Sequence, residues 1–415
     1  MFYGQWSIEH LVILLLSIFI NFGAAKILVA SQHKKALLTL IIILNLLPLI
    51  YYKYSEFLSL QDHSIILPLA ISFFTFQQIA FQIDLYRNKI ILRGVREYLF
   101  FILFFPQLIA GPIVHYNELI PQMLKHQWLR FNAIYFQMGI VLFSIGLFKK
   151  VVLADNLSVI ANNAFSNNLS SSYDAWMGIF AYSFQIYFDF SGYADMAIGL
   201  GLLFGLRLPI NFNSPYKSKN IIVFWRNWHI TLSNFLKDYI YIPLGGNRTG
   251  QFRNGVNIVT TMIIGGIWHG AGWNFLLWGF LHGVFLAITH LFEKLIKKIV
   301  IHSLAVTYLS TMITFLLVTL LWVLFRAKNI DAAMEYYRTL FIWKKFSFGM
   351  DINLFLLACS FVVVFFLPNS TKFANYFEEK PVIGVLHTFI AAVMIFISLK
   401  MMALKPAATF VYFNF

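Results

Sequence analysis

Residues 11–30 read LVILLLSIFINFGAAKILVA, an apolar run interrupted by a single charge, Lys26. About 20 mostly apolar residues carry a helix across the hydrocarbon core of a bilayer, and this run has that length. Lys34 and Lys35 follow it, and the preceding residues 1–6 (MFYGQW) lack the basic region of a cleavable signal peptide. The run is therefore predicted to be a retained transmembrane helix.

The pattern recurs along the chain. Further apolar segments cover residues 36–52, 65–83, 98–116, 134–153, 175–186 running on into 194–206, 256–268, 274–295, 305–325, 354–367 and 382–402, giving about 10 or 11 segments. Several are short or interrupted by Pro and Gly, which predicts re-entrant or tilted pieces. The expectation is an all-α membrane protein, a polytopic helical bundle around a central tunnel.

Composition agrees. Of 415 residues, 60% are hydrophobic and 12% charged, with a mean hydropathy of +0.73. A soluble domain carries about 25% charged residues to meet water. In lipid, backbone polar groups must pair internally, and with no alternating barrel pattern, helices are the economical solution. No soluble domain is visible: residues 211–255, the longest polar stretch, are too few for an independent core. Residues 1–415 are read as one membrane domain, with an exposed polar loop over residues 162–173.

The net charge of +14 comes from 31 Lys and Arg against 17 Asp and Glu. The cations cluster between apolar runs, at Lys34-Lys35, residues 87–96, Lys149-Lys150, residues 217–226 and residues 294–298. The positive-inside rule and anionic headgroups explain such clusters, with membrane lipids and not nucleic acid as the partner. The single Cys359 excludes an intrachain disulfide and a cysteine metal site.

Polar residues inside a membrane are costly and mark functional candidates. They concentrate between Phe188 and His290. Asp189 sits in the run Tyr187-Phe188-Asp189-Phe190, where it needs a cation or several donors; a structural tether to an Arg or to helix N-terminal amides competes with a proton-handling role. Gly199, Gly201 and Gly205 lack the spacing and context of a dinucleotide loop and are read as close-approach points for helices. Residues 224–239 (FWRNWHITLSNFLKDY) read as one amphipathic interfacial helix with Trp225, Leu232, Leu236 and Tyr239 on a face. An anchor of that kind leaves His229 unexplained. Residues 265–274 (GGIWHGAGWN) place His269 in a glycine-rich, tryptophan-flanked break between two apolar helices. Non-helical backbone at depth is tolerated where it lines a cavity, so a core and a functional reading of His269 both stand. His282 reads as a core residue. No Cys, Asp or Glu stands at metal-ligand spacing from either histidine, so no metal site is expected, and neither a P-loop nor a nucleophile elbow is present.

These clusters occur in a recognisable order. Residues 71–77 (ISFFTFQ), 83–87 (IDLYR), 105–113 (FPQLIAGPI) and 189–195 (DFSGYAD) are followed by 211–216 (NFNSPY), 224–229 (FWRNWH), 239–247 (YIYIPLGGN), 268–270 (WHG) and 322–327 (WVLFRA). In combination they resemble the membrane-bound O-acyltransferase family, in its alginate O-acetyltransferase-like branch, over core motifs at about residues 65–345. Against typical members of the branch the N-terminus looks short by a leading helix, and the region after about Phe346 carries no motif of the branch.

The resemblance implies a membrane-embedded O-acetyltransferase of a bacterial inner membrane. It would move an acetyl group from a thioester donor towards an extracytoplasmic polysaccharide such as alginate. It implies acetyl-CoA as donor substrate with no bound cofactor, a periplasmic or membrane-anchored acetyltransferase partner, and a polysaccharide synthase complex. His269 corresponds to the essential histidine and His229 to a second polar participant. Imidazole, with a free pKa of about 6.5, takes a hydroxyl proton at neutral pH. His269 is thus the expected base on the floor of the tunnel, with Trp268 and Trp273 excluding water. Asn274 and Asp189 are further binding candidates, and Arg226, Arg248, Lys217 and Lys219 are candidates for the donor phosphates. A transporter or flippase of a polysaccharide or lipid-linked precursor is the alternative. It predicts paired broken helices in repeats, which the sequence does not display. A non-catalytic scaffold is the third reading.

Overall fold

The computed structural model describes residues 3–5, 7–58, 66–109, 111–125, 130–166, 171–248, 250–296, 303–341, 352–379, 385–405, 408, 410 and 411. All regular structure among them is helical. The chain divides into two compact units, Met1–Ile140 with Ala197–Pro209, and Val141–Met196 with Ile210–Phe415.

Helices α1 (Ile8–Ala30), α2 (Lys34–Tyr54), α3 (Ile71–Tyr86), α4 (Val95–Leu103), α5 (Phe105–Leu108) and α6 (Tyr116–Leu124) belong to the first unit. A buried amide ladder stitches the first three together. Asn21 and Asn45 exchange Nδ2–H···Oδ1 bonds at 2.9 Å. Gln82 Nε2 donates to the Asn21 carbonyl at 2.8 Å, and Ser17 donates to Gln78 Oε1 at 2.8 Å. Between helices in lipid there is little hydrophobic drive, so hydrogen bonds worth roughly 0.6 kcal/mol each help decide the pairing.

Helix α7 (Ala133–Phe148) widens into an i→i+5 turn over Lys149–Ala154 and continues as α8 (Asp155–Phe165). Opposite it runs the 32-residue α9 (Ser172–Leu203). Glycines set the approach: a Cβ at Gly139 would meet the Gly199 carbonyl at 2.8 Å, and one at Gly146 would meet the Gly192 carbonyl at 2.5 Å. The small-residue reading of this segment therefore holds. Helix α8 persists to Phe165, so the polar loop expected from residue 162 starts later; residues 167–170 of that loop lie outside the described residues.

The second unit continues with α10 (Ile221–Asn227), α11 (Ile230–Leu236), α12 (Gln251–His269), α13 (Trp273–Ile296), α14 (Leu304–Arg326) and α15 (Ile330–Phe341). It ends with α16 (Ile352–Phe366), α17 (Ser370–Glu379) and α18 (Val385–Leu404). Helices α12 and α13 form a hairpin packed backbone to backbone. A Cβ at Gly266 would overlap the Phe275 carbonyl, and one at Gly279 would overlap that of Met262.

Five described helices are long and apolar enough to cross a membrane: Ile8–Ala30, Lys34–Tyr54, Ala133–Phe165, Trp273–Glu293 and Leu304–Arg326. Two shorter apolar ones are Ile352–Phe366 and Thr388–Leu404. The remaining segments of the sequence reading are shorter or more polar. Residues 98–116 break at Phe104, ahead of the Pro106 that opens α5. Helix α9 carries Gln185, Asp189, Asp195 and several tyrosines, and most of its residues are buried by protein. The segments at residues 65 and 382–384, and the region from 346 to 351, fall partly or wholly outside the described residues.

Lys149 and Lys150, read as headgroup-facing charges, are turned inward instead, Lys149 buried and Lys150 half-buried. Lys149 Nζ lies 2.7 Å from Asp195 Oδ2. Lys150 Nζ lies 2.8 Å from both Asp155 Oδ1 and Asp189 Oδ1. The wide turn brings two consecutive cations to face carboxylates on α8 and α9, and charges in such surroundings must be paired.

Candidate functional site

The predicted single helix over residues 224–239 does not form. It is broken at His229, whose φ of 42° lies in the left-handed region and separates α10 from α11. Trp228 N–H closes α10 on the Phe224 carbonyl at 2.8 Å, whereas Ile230 N–H leaves the helix for the Asn211 carbonyl at 3.0 Å. Trp225, Leu232 and Leu236 are accordingly buried in the unit and do not face an interface.

The break drives the His229 ring fully into the interior, at 0% exposure. Its Nδ1 lies 3.1 Å from Asn211 Oδ1, which also accepts from Thr231 N–H at 3.2 Å and Thr231 Oγ1–H at 2.9 Å. A backbone N–H can only donate, so the Asn211 atom facing it is the oxygen, and His229 Nδ1 must donate as well. That tautomer makes Nε2 the acceptor nitrogen of the ring. Burial pushes the His229 pKa down to about 3, so the ring is neutral at physiological pH. Phe190 meets the imidazole edge-on at 4.6 Å between centroids.

His269 is the last residue of α12 and is 4% exposed. Its ring is enclosed by Trp268 at 4.9 Å, Phe325 at 5.1 Å and Trp278 at 5.3 Å. Trp268 also meets His229 at 6.2 Å, so one indole touches both imidazoles. The chain leaves α12 through Gly270, where a Cβ would overlap the Phe275 ring. Asn274, at the start of α13, donates both amide hydrogens to the end of α14, to Leu324 O at 3.1 Å and Ala327 O at 2.9 Å. The loop behind His269 is thereby clasped to a third helix.

Two expectations are corrected. Trp273 is 63% exposed, and the second indole over His269 is that of Trp278, five residues further along α13. Asp189 takes its cation from Lys150, with a further bond from Val411 N–H at 2.7 Å, instead of from an arginine. Of the residues singled out in the sequence, the structure gathers His229, Trp268 and His269 around shared ring contacts and places Asn274 behind them. Arg226, Arg248 and Lys219 are exposed, and Lys217 donates to the Leu367 carbonyl at 2.7 Å.

Asn211 and Trp278 have roles that the sequence reading did not assign, whereas His282 is the core residue expected. Asn211 sits 18 residues before His229, and its pairing is visible only in three dimensions. Trp278 needed the hairpin. His282 is 0% exposed, accepts from Trp225 Nε1–H at 3.2 Å, and lies among Trp225, Trp278 and Trp322. As Trp donates only, His282 carries its proton on Nε2. Among the described residues no group of His, Cys, Asp and Glu could hold a metal ion.

What this arrangement offers is a neutral imidazole with an aimed acceptor nitrogen and a second imidazole beyond a shared indole, in a setting dominated by aromatic carbon. Such a setting suits proton transfer in acyl exchange, where water must be kept out. Comparison with known proteins points the same way. Residues 27–330 match the model of MBOAT, the membrane-bound O-acyltransferase family. The peptidoglycan O-acetyltransferase of Helicobacter pylori is 44% identical, over 80% of this chain and 70% of the relative. The probable alginate O-acetylase AlgI of Azotobacter vinelandii is 39% identical over 85% and 72%. The teichoic acid D-alanyltransferase of Bacillus subtilis is 29% identical over 62% and 69%. This chain belongs to the membrane-bound O-acyltransferase family and is an O-acyltransferase.

Proposed function

We propose that the protein transfers an acetyl group from a thioester donor, acetyl-CoA, towards a hydroxyl of an extracytoplasmic polysaccharide, with His269 as the general base. The observation that carries this reading is the placement of His269 at the buried end of α12, with His229 against the same Trp268. In the proposed step His269 takes the hydroxyl proton as the oxygen attacks the thioester carbonyl. The tetrahedral oxyanion collapses, the C–S bond breaks, and the proton passes to the departing thiolate. His229, its Nδ1–H held by Asn211, orients the acceptor by taking a hydroxyl hydrogen bond at Nε2. A base of this kind contributes about 10²–10⁴ in rate, and the surrounding indoles limit hydrolysis of the thioester.

The names of the acetyl-transferring relatives offer two acceptor classes, alginate and peptidoglycan. We place the enzyme in a bacterial inner membrane, where a periplasmic or membrane-anchored partner and a polysaccharide synthase complex would complete delivery. Exposed Arg226, Arg248 and Lys219 are the proposed contacts for donor phosphates. Asp189 belongs to the scaffold through its pair with Lys150.

The test supplies radiolabelled acetyl-CoA to membranes holding the protein and measures ester-linked acetate on added glycan and partner. His269→Ala should lose transfer while retaining expression and melting temperature. Persistent transfer in the purified variant overturns the assignment of the base. Movement of glycan without ester formation would favour a transporter instead.

A further inference from the structure

A cavity lies beside the histidines, within the same unit. Its volume is about 230 Å³, and its lining includes Asn162, Tyr182, Gln185, Phe275, Arg326 and Lys328. Two of these are cations, and no carboxylate is among the lining residues. Arg326 closes α14 and has five N–H donors. It donates from Nη2 to Asn162 Oδ1 at 2.8 Å, and its plane is held over Phe165 and Tyr182 at 5.6 and 5.9 Å. Among the described residues the guanidinium makes no other hydrogen bond. Asp189, one turn beyond Gln185 on α9, is engaged by Lys150 and by Val411 N–H.

Two residues of the lining carry buried polar groups. The hydroxyl of Tyr182, 0% exposed, and the amide oxygen of Gln185, 7% exposed, have no partner among the described residues. Polar atoms buried this deeply are nearly always hydrogen-bonded, and a polar guest entering the cavity would supply partners for both. The cations select an oxyanion, and the Gln185 oxygen selects a hydroxyl beside it. A volume below the roughly 300–1,000 Å³ of drug-sized pockets admits one small group and not an oligomer.

The cavity adjoins the candidate site. Phe275, in its wall, meets Phe325 edge-on at 5.3 Å, and Phe325 meets His269 at 5.1 Å. The Phe275 ring also fills the space where a Gly270 side chain would stand. We propose that this cavity is an oxyanion subsite in which Arg326 and Lys328 hold an acidic group of a substrate, with Tyr182 and Gln185 contacting its neighbouring oxygens. The oxyanion is either the carboxylate of one acidic sugar residue of the acceptor or a phosphate of the donor. Calling the guest a substrate rests on the acyl-transfer reading above.

The experiment titrates the purified, detergent-solubilised full chain calorimetrically with sodium glucuronate, inorganic phosphate and, as neutral control, glucose. Saturable binding of glucuronate assigns the subsite to the acceptor, and saturable binding of phosphate assigns it to the donor. In either case Arg326→Gln and Lys328→Gln should weaken binding at least tenfold. Arg326→Gln also loses the Asn162 bond and can unfold the protein; Lys328 is exposed, so Lys328→Gln keeps the test decisive. The proposal is overturned if neither anion binds saturably, if glucose binds as well as the anions, or if Lys328→Gln binds like wild type. Binding is read without acetyl transfer, so a protein that acetylates but binds neither anion refutes the subsite alone. One that binds an anion but never forms an ester refutes the proposed function alone.

Discussion

The side-chain oxygen of Asn211 accepts from His229 Nδ1 and from Thr231 N–H, and that shared acceptor fixes which nitrogen of the buried imidazole carries the proton. A residue outside any helix thus sets the chemistry of a histidine 18 positions later.

Asn211→Ala removes the acceptor and frees the imidazole to take either tautomer. With His229 in the proposed role, acetyl transfer should fall roughly 10- to 100-fold, less than the 10²–10⁴ that a general acid–base group itself contributes. The loss should appear in kcat more than in KM. Wild-type kcat in a variant whose expression and melting are normal would show that the tautomer is irrelevant to turnover.

The same burial couples His229 to pH. Its folded pKa is pushed down to about 3, whereas the unfolded ring titrates near the free value of about 6.5. Between those values the unfolded chain binds the additional proton, so stability rises with pH across that window and declines as pH falls below about 6.5. Replacing His229 with Gln should flatten this slope in melts taken from pH 4.5 to 7.5. An unchanged slope would mean that other groups carry it.

Glycine positions in the α12–α13 hairpin separate into intolerant and tolerant ones. A methyl at Gly266 overlaps the backbone oxygen of Phe275, which cannot rotate away, whereas one at Gly255 meets only the Ala287 methyl at 3.8 Å. Gly266→Ala should destabilise by about 1–3 kcal/mol and displace His269 three residues on. Gly255→Ala should be neutral or stabilising by up to about 1 kcal/mol from helix propensity. Equal melting temperatures for the two variants would contradict the packing described.

Asn274 was a binding candidate from its position after the Trp-His-Gly motif, yet both of its amide hydrogens are spent on Leu324 and Ala327 carbonyls. Asn274→Asp replaces two donors with an acceptor facing two acceptors. It should lower the melting temperature sharply, since each buried polar group left unsatisfied costs about 1–3 kcal/mol. A variant that melts normally but shows a raised KM would restore the binding role.

The sequence made the membrane architecture legible because a crossing helix announces itself in one continuous apolar run, as α1 and α14 do. What it concealed depended on partners from elsewhere in the chain. Residues 224–239 carry a helical period throughout, and nothing local reveals that Asn211 captures Ile230 N–H and turns the chain at His229. Trp273 and Trp278 look equally able to shield His269 until the Gly266 and Gly279 backbones meet and select the second. Lys149 and Lys150 followed the pattern of headgroup charges, since Asp155 stands close in sequence but Asp189 and Asp195 approach only across α9. One signal was available: two lysines inside an apolar run that continues to Leu153 need internal counter-charges.

That last pairing carries its own test. Lys149 and Asp195 are 2.7 Å apart with side-chain exposures of 10% and 8%, and Lys149 donates also to Ser370 on α17. Removing one member of a buried pair leaves an uncompensated charge and costs roughly 3–5 kcal/mol, whereas removing both charges together is often close to neutral. Lys149→Met should therefore melt far below wild type, and Lys149→Met with Asp195→Asn should recover most of the loss. The difference between single and double variants measures the charge left unpaired, because the Ser370 contact is lost in both. If the double variant is no more stable than the single one, the lysine acts mainly through its bond to α17, and the pair with Asp195 contributes little to holding the helices together.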